Sequence, residues 1–225
     1  MGVYETRGKS ATIIVFNTEV VHNILTKLGR VEMQWKNTIK GYGFIARMFH
    51  IVVAFLIIGQ LAVGMYMVGL PNELKADIYA NHKTFGLVVL LVVAFRLVWR
   101  IINILPALPA ETPKWQIFAA RSLHRSFYVF MILIPITGWM MSTAAGYLPK
   151  FPGLGKVAFP FFQQESFCVF GKCYTNEMIG GLSHDAHAIF GYVLIAMIVI
   201  HTSIAIWHYH LKDGIFQRMF TDQTT

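Results

Sequence analysis

After a polar stretch of about forty residues, four long apolar stretches organise the chain. The first covers about residues 44–69 (FIARMFHIVVAFLIIGQLAVGMYMVG), the second about 80–105, the third about 118–143 and the fourth about 184–210. About 20 apolar residues in an α-helix suffice to cross a hydrocarbon core, and each stretch exceeds that length. Pro71, Pro106 and Pro109 punctuate the ends of the first two stretches. Pro135 falls inside the third, where it predicts a kink that a bundle tolerates. The pattern predicts an all-α fold, an integral membrane four-helix bundle over residues 41–225, with a long loop at 144–183. That loop, rich in Phe, Gly and Pro (YLPKFPGLGKVAFPFF), is expected to lie over the membrane surface as a lid.

Residues 1–40 read as a basic, weakly patterned extension. Its segment ATIIVFNTEVVHNIL is too short and too interrupted to span, and it carries no signal-peptide cleavage pattern. A chain starting at Met33 would lose no residue given a role here, and His22 is expected at the surface.

Composition agrees with the pattern. Of 225 residues, 56% are hydrophobic and 13% charged, and the mean hydropathy is +0.54. A soluble domain averages about 25% charged residues. The formal charge of +8 raises nucleic acid as a partner, but the basic residues flank apolar stretches. Lipid headgroups are therefore the expected partner, and no nucleic acid is. Lys and Arg also set orientation. Fourteen lie before the first span, in the link between the second and third spans, or after the fourth; Lys75, Lys83, Lys150, Lys156 and Lys172 lie on the other side. The asymmetry predicts cytoplasmic termini and an outward-facing loop at 144–183. The two cysteines in that loop, Cys168 and Cys173, are too few for a closed zinc site. Whether they form a disulfide stays open.

The chemistry is carried by histidine. Ionisable groups within a bilayer are expensive and invite a functional reading. His187 and His201 are fourteen residues apart in the fourth span. On a helix that is about 21 Å along the axis and nearly four whole turns, so both imidazoles share one face at two depths. The second span repeats the text around His187: HKTFG from His82 matches HAIFG from His187 as H-x-x-F-G. With successive spans running in opposite directions, His82 and His187 fall near the outer side, and His50 and His201 near the inner side. This predicts two haem irons, each clamped by an imidazole pair and committed to electron transfer. Gly86 and Gly191, four residues after His82 and His187, leave room for a flat macrocycle. Gly64 and Gly138 are expected near the depth of the outer haem. Arg96, level with His201, is positioned for a haem propionate. His124 is the alternative to His50 as inner ligand, or lines a quinone pocket with Arg121 and Arg125; the apolar neighbours of His50 favour it. His184, His208 and His210 read as interfacial.

At these residues the chain resembles the bacterial cytochrome b561 family. The resemblance covers about 40–225 and rests on the histidine near the start of span one, H-x3-G followed by arginine in span two, the LH…P..G run of span three, and H-x13-H followed by H-Y in span four. It implies a four-helix inner-membrane protein with two haem b groups held at the positions of His50, His82, His187 and His201. It also implies, as in some members, oxidation of superoxide at the outer face with reduction of ubiquinone. Arg121 stands where a second histidine of span three is expected. On this reading Lys83, Lys150, Lys156 and Lys172 are candidates for steering superoxide. The alternative is an electron-transfer subunit that anchors a hydrogenase or other dehydrogenase to the quinone pool.

Overall fold

The computed structural model describes residue 19 and residues 34–220, apart from 152 and 163–165. Its elements lie within the unit Trp35–Thr225. The expectations for His22 and for the rest of residues 1–33 lie outside the described residues.

Four helices are long and apolar enough to cross a membrane: α1 (Phe44–Val68), α2 (Asn72–Ile102), α3 (Lys114–Ala144) and α4 (Asn176–Leu211). Short links place α1 against α2 and α2 against α3, and the long loop returns α4 against α3. The fold is thus the all-α bundle expected. α1 begins where its apolar stretch does, but the other three helices begin earlier than theirs. α2 starts at Asn72, directly after Pro71, and α4 starts at Asn176 rather than near residue 184. Apolar run length marks only the lipid-facing part of a helix, and a polar first turn can project beyond it. Local chemistry sets the true ends. Thr175 caps α4 by accepting from the Met178 amide at 3.2 Å, and Glu177 complements the helix dipole there. Lys212, in the left-handed region at φ 55°, ends it.

The loop between α3 and α4 is two small hairpins, not featureless coil. β1 (Lys150–Phe151) pairs with β2 (Gly155–Lys156), and β3 (Ser166–Val169) with β4 (Lys172–Thr175). In the second hairpin Phe170 and Gly171 both have positive φ, 49° and 75°, the signature of a tight two-residue turn. That register sets Cys168 directly opposite Cys173, and a disulfide joins them. The loop is tied back to α3. Trp139 Nε1 donates to the Val157 carbonyl at 3.0 Å, and the Phe159 amide donates to Thr143 Oγ1 at 2.9 Å. Edge-to-face contacts then run from Trp139 to Phe159 and Phe162, and Phe162 meets the buried Phe167 of β3.

At the opposite end, residues 35–43 clasp the bundle. Asn37, 8% exposed, donates to the Ile104 carbonyl at 2.9 Å and accepts from the Gly43 amide at 3.0 Å. The Tyr42 amide donates to the Arg218 carbonyl, within the short α5 (Gln217–Phe220). A Cβ on Gly43 would lie 2.4 Å from the backbone of Lys36, so only glycine fits.

The tightest packing lies midway along the bundle. Val53, Ile57, Val89, Val93, Met131 and Leu194 form one buried cluster, with Val93 0% and Leu194 1% exposed. Leu194→Ala would remove three buried carbons from a site that cannot collapse, at a cost of about 2–5 kcal/mol. A clear fall in the thermal midpoint of the purified protein in detergent is the expected outcome.

Candidate cofactor site: two imidazole pairs at two depths

α4 carries two of the relevant histidines on one face, and α1 and α2 each bring one to meet them. The rings of His82 and His187 have centroids 6.2 Å apart, with planes inclined at 85°. Those of His50 and His201 are also 6.2 Å apart, inclined at 67°. The equality has chemical content. A ring nitrogen bonds a first-row metal at about 2.0 Å, and lies about 1.1 Å from its ring centre. Two imidazoles sharing one metal on opposite sides therefore put their centroids about 6.2 Å apart. Both pairs fit one metal held between two nitrogens, as in a six-coordinate haem.

Each ring has its own surroundings. His187 Nδ1 donates to the Ile134 carbonyl of α3 at 2.8 Å, which leaves Nε2 as the free lone pair. His82 Nδ1 is buried without a hydrogen-bond partner, while its carbonyl accepts from Gln60 Nε2 of α1 at 3.1 Å. His50 Nδ1 lies 2.8 Å from an Arg96 Nη of α2. Arg96 and Arg100 both lie over the Tyr128 ring of α3. His201 packs edge-on against Phe127 at 5.3 Å and His124 at 5.6 Å. His124 Nδ1 donates to its own helix, at the Ala120 carbonyl 2.7 Å away.

The glycines divide into two kinds. A Cβ on Gly64 would lie 3.4 Å from Cε1 of His82, and one on Gly138 only 2.9 Å from Cε1 of His187. Gly138 thus makes room for an imidazole, whereas a Cβ at Gly64 would only touch the His82 ring at an ordinary contact distance. A Cβ on Gly191 would meet nothing within 4 Å, and one on Gly86 only Gln60 Nε2 at 3.9 Å. Beside those two the helix surface is open enough for a planar group.

The remaining candidates lie at the two ends. Lys83 Nζ donates to the Tyr147 carbonyl at 3.2 Å and sits over the Tyr147 ring, bracing the start of the long loop. Lys150 and Lys156 are exposed and directly opposed across the first hairpin, and Lys172 is exposed in β4. Arg121 and Arg125 are exposed on α3, whereas His124 between them is half-buried. His184 is exposed beside Asp185 at 3.2 Å, and His210 is exposed at the far end of α4. His208 Nδ1 hydrogen-bonds the Asp213 carboxylate. Slight burial works upward on that carboxyl, but its bonds from His208 and the Ile215 amide hold it below its usual range.

Gln60, Ile134, Thr137, Phe127 and Tyr128 are neighbours of the pairs that spacing arguments missed. Gln60 left a visible signal, a lone amide in an apolar run. The Ile134 carbonyl left none, because a backbone acceptor has no letter.

Two comparisons bear on this arrangement. The family described as Prokaryotic cytochrome b561 matches residues 41–222, nearly all of the bundle. Cytochrome b561 homolog 2 of Escherichia coli (strain K12) is 32% identical over 117 residues, which cover 51% of this chain and 62% of the relative. The aligned part thus spans less than two thirds of that relative's length.

Proposed function

The chain belongs to the prokaryotic cytochrome b561 family, and from that premise we propose that it is a superoxide:ubiquinone oxidoreductase of the bacterial inner membrane with two haem b groups. Membership makes it an integral membrane, haem b-binding cytochrome that transfers electrons. The two haem groups of this reading rest on one observation: two imidazole pairs, each with centroids 6.2 Å apart, at levels fourteen residues apart on α4.

On this reading His82 and His187 hold the haem nearer the long loop, and His50 and His201 hold the other. Haem iron, when bound, supplies reversible one-electron exchange between its ferric and ferrous states. His187 already presents Nε2 for ligation. His50 needs a tautomer change, because a guanidinium has no acceptor and the Arg96 contact makes Nδ1 accept. With the proton on Nδ1, Arg96 is released toward an anionic partner such as a propionate, and Tyr128 supports it. His50 is preferred over His124 because its distance from His201 equals that of the other pair.

The net reaction oxidises two superoxide anions to two dioxygen molecules and reduces one ubiquinone, with two protons, to ubiquinol. Lys150, Lys156 and Lys172 put positive charge at the loop end, where an anion would arrive. Lys83, bound to Tyr147, acts there through the loop. Quinone would be met at the end bearing the termini, near His124 and Arg121. The charge asymmetry of the links and the disulfide in the long loop both support an outward loop, since disulfides persist in oxidising compartments.

Single alanine variants of His82 and His187 are expected to lose one and the same haem, and those of His50 and His201 the other, while His124→Ala keeps both. Reduced-minus-oxidised spectra with haem quantification check this. Loss of one common haem in the His187 and His201 variants would refute the two-level arrangement.

Superoxide is expected to reduce the purified dihaem protein, and a ubiquinone analogue to reoxidise it. Lys150→Glu with Lys156→Glu should slow the first step by about threefold to tenfold and flatten its salt dependence in stopped-flow traces. A protein that superoxide leaves oxidised, while quinol reduces it, would instead be an electron-transfer subunit for a dehydrogenase.

A further inference from the structure

α3 contributes no ring to either pair, yet it touches His187 at three points. The Ile134 carbonyl accepts from Nδ1 at 2.8 Å. Thr137 Oγ1 lies 3.4 Å from the same nitrogen. Gly138 leaves no room for a methyl, since a Cβ there would sit 2.9 Å from Cε1 and 3.1 Å from Nδ1. Pro135 lies among these residues and removes one helical donor, a change that tends to kink helices. The Thr137 hydroxyl donates back to the Leu133 and Ile134 carbonyls, each at 2.9 Å, which also bends a helix. Ile134 oxygen is therefore shared between a hydroxyl of its own helix and an imidazole of α4. The facing ring, His82, has no such anchor on its Nδ1.

We propose that the Ile134 carbonyl, with Thr137 and Gly138, forms a seat on α3 that fixes His187 through its Nδ1–H and sets the redox potential of the haem that His187 ligates. This rests on the reading of His187 as an axial ligand. The seat does three things. It keeps the proton on Nδ1 and the Nε2 lone pair toward the metal. It fixes the rotation of the ring. It makes the imidazole a stronger donor, which stabilises ferric over ferrous iron and lowers the potential. Thr137 tempers the last effect, because its hydroxyl competes for the same oxygen. These are positioning residues that act through His187.

The test uses the purified protein with both haems, a redox titration that resolves the two centres, and the low-spin ferric signals in electron paramagnetic resonance. Gly138→Ala pushes the ring off the carbonyl. It should raise the potential and shift the signal of the centre that disappears in His82→Ala, leaving the other centre unchanged. Thr137→Val removes the competing hydroxyl. It should lower the same potential, and Thr137→Ser should restore it. Opposite shifts confined to one centre support the seat. If Gly138→Ala does not fold, the Thr137 pair decides by the same criterion. Unchanged potentials, shifts in the same direction, or equal shifts at both centres overturn it. If His187→Ala keeps both haems, the ligand assignment fails first and takes the seat with it.

Discussion

Everything in this bundle follows from the cost of placing an imidazole where a lipid tail would otherwise be. A ring in hydrocarbon favours the neutral form, and a nitrogen left without a partner there, as His82 Nδ1 is, carries a cost that a bound group would have to offset. One helix can meet that demand twice only if its two rings face the same neighbours. Fourteen residues, nearly four full turns, provides this. α4 therefore carries His187 and His201 on one stripe, and α1 and α2, entering from opposite ends, bring His50 and His82 to matching levels. The same period places the core. Leu194 is seven residues from each histidine, and it heads the buried cluster with Val93. The tight apolar packing is thus a layer between two polar levels, so a planar cofactor at each level would add to a core concentrated at one depth.

The backbone of α3 and the glycines complete what the ring spacing begins. Imidazoles are bulky, and helices at ordinary packing distance leave no room for them. Gly138 opposite His187 removes a side chain where that ring must sit, and Gly64 lies in contact range of His82. At Gly86 and Gly191 the missing side chain faces open space instead. α3 brings no ring to either pair and still shapes His187, through the room at Gly138 and the Ile134 carbonyl.

Most of the fold and the histidine geometry was legible because both depend on period. Apolar runs long enough to span are unmistakable, and H-x13-H fixes face and depth without any tertiary information. The starts of α2, α3 and α4 were not legible. The eight residues from Asn176 to Ser183 are helical because Thr175 caps them and β4 feeds into them, while their composition reads as loop. The hairpins of the long loop were missed for a related reason. Their strands are short, and the Phe170–Gly171 turn places a phenylalanine at a left-handed position usually given to asparagine or glycine. The role of Gly138 was legible only in depth. The sequence placed it level with the outer pair, but whether it faced a macrocycle or an imidazole depends on how α3 is rotated, and no spacing on α3 alone determines that.

The two ends of the molecule are built for different surroundings. The end with the termini is closed by neutral backbone and amide hydrogen bonds, centred on Asn37. The loop end is closed by a disulfide and by aromatic contacts, and it carries a charge arrangement that opposes folding. Lys150 and Lys156 face each other across a two-residue-per-strand hairpin, where like charges repel and little else holds the strands. A fold gains nothing from that pair. On the proposed function the pair would draw an anion to the surface, and the nearby disulfide suits an oxidising medium on the same side. The disulfide does not enter the count of basic residues flanking the spans, yet it favours the same orientation, with the long loop facing outward.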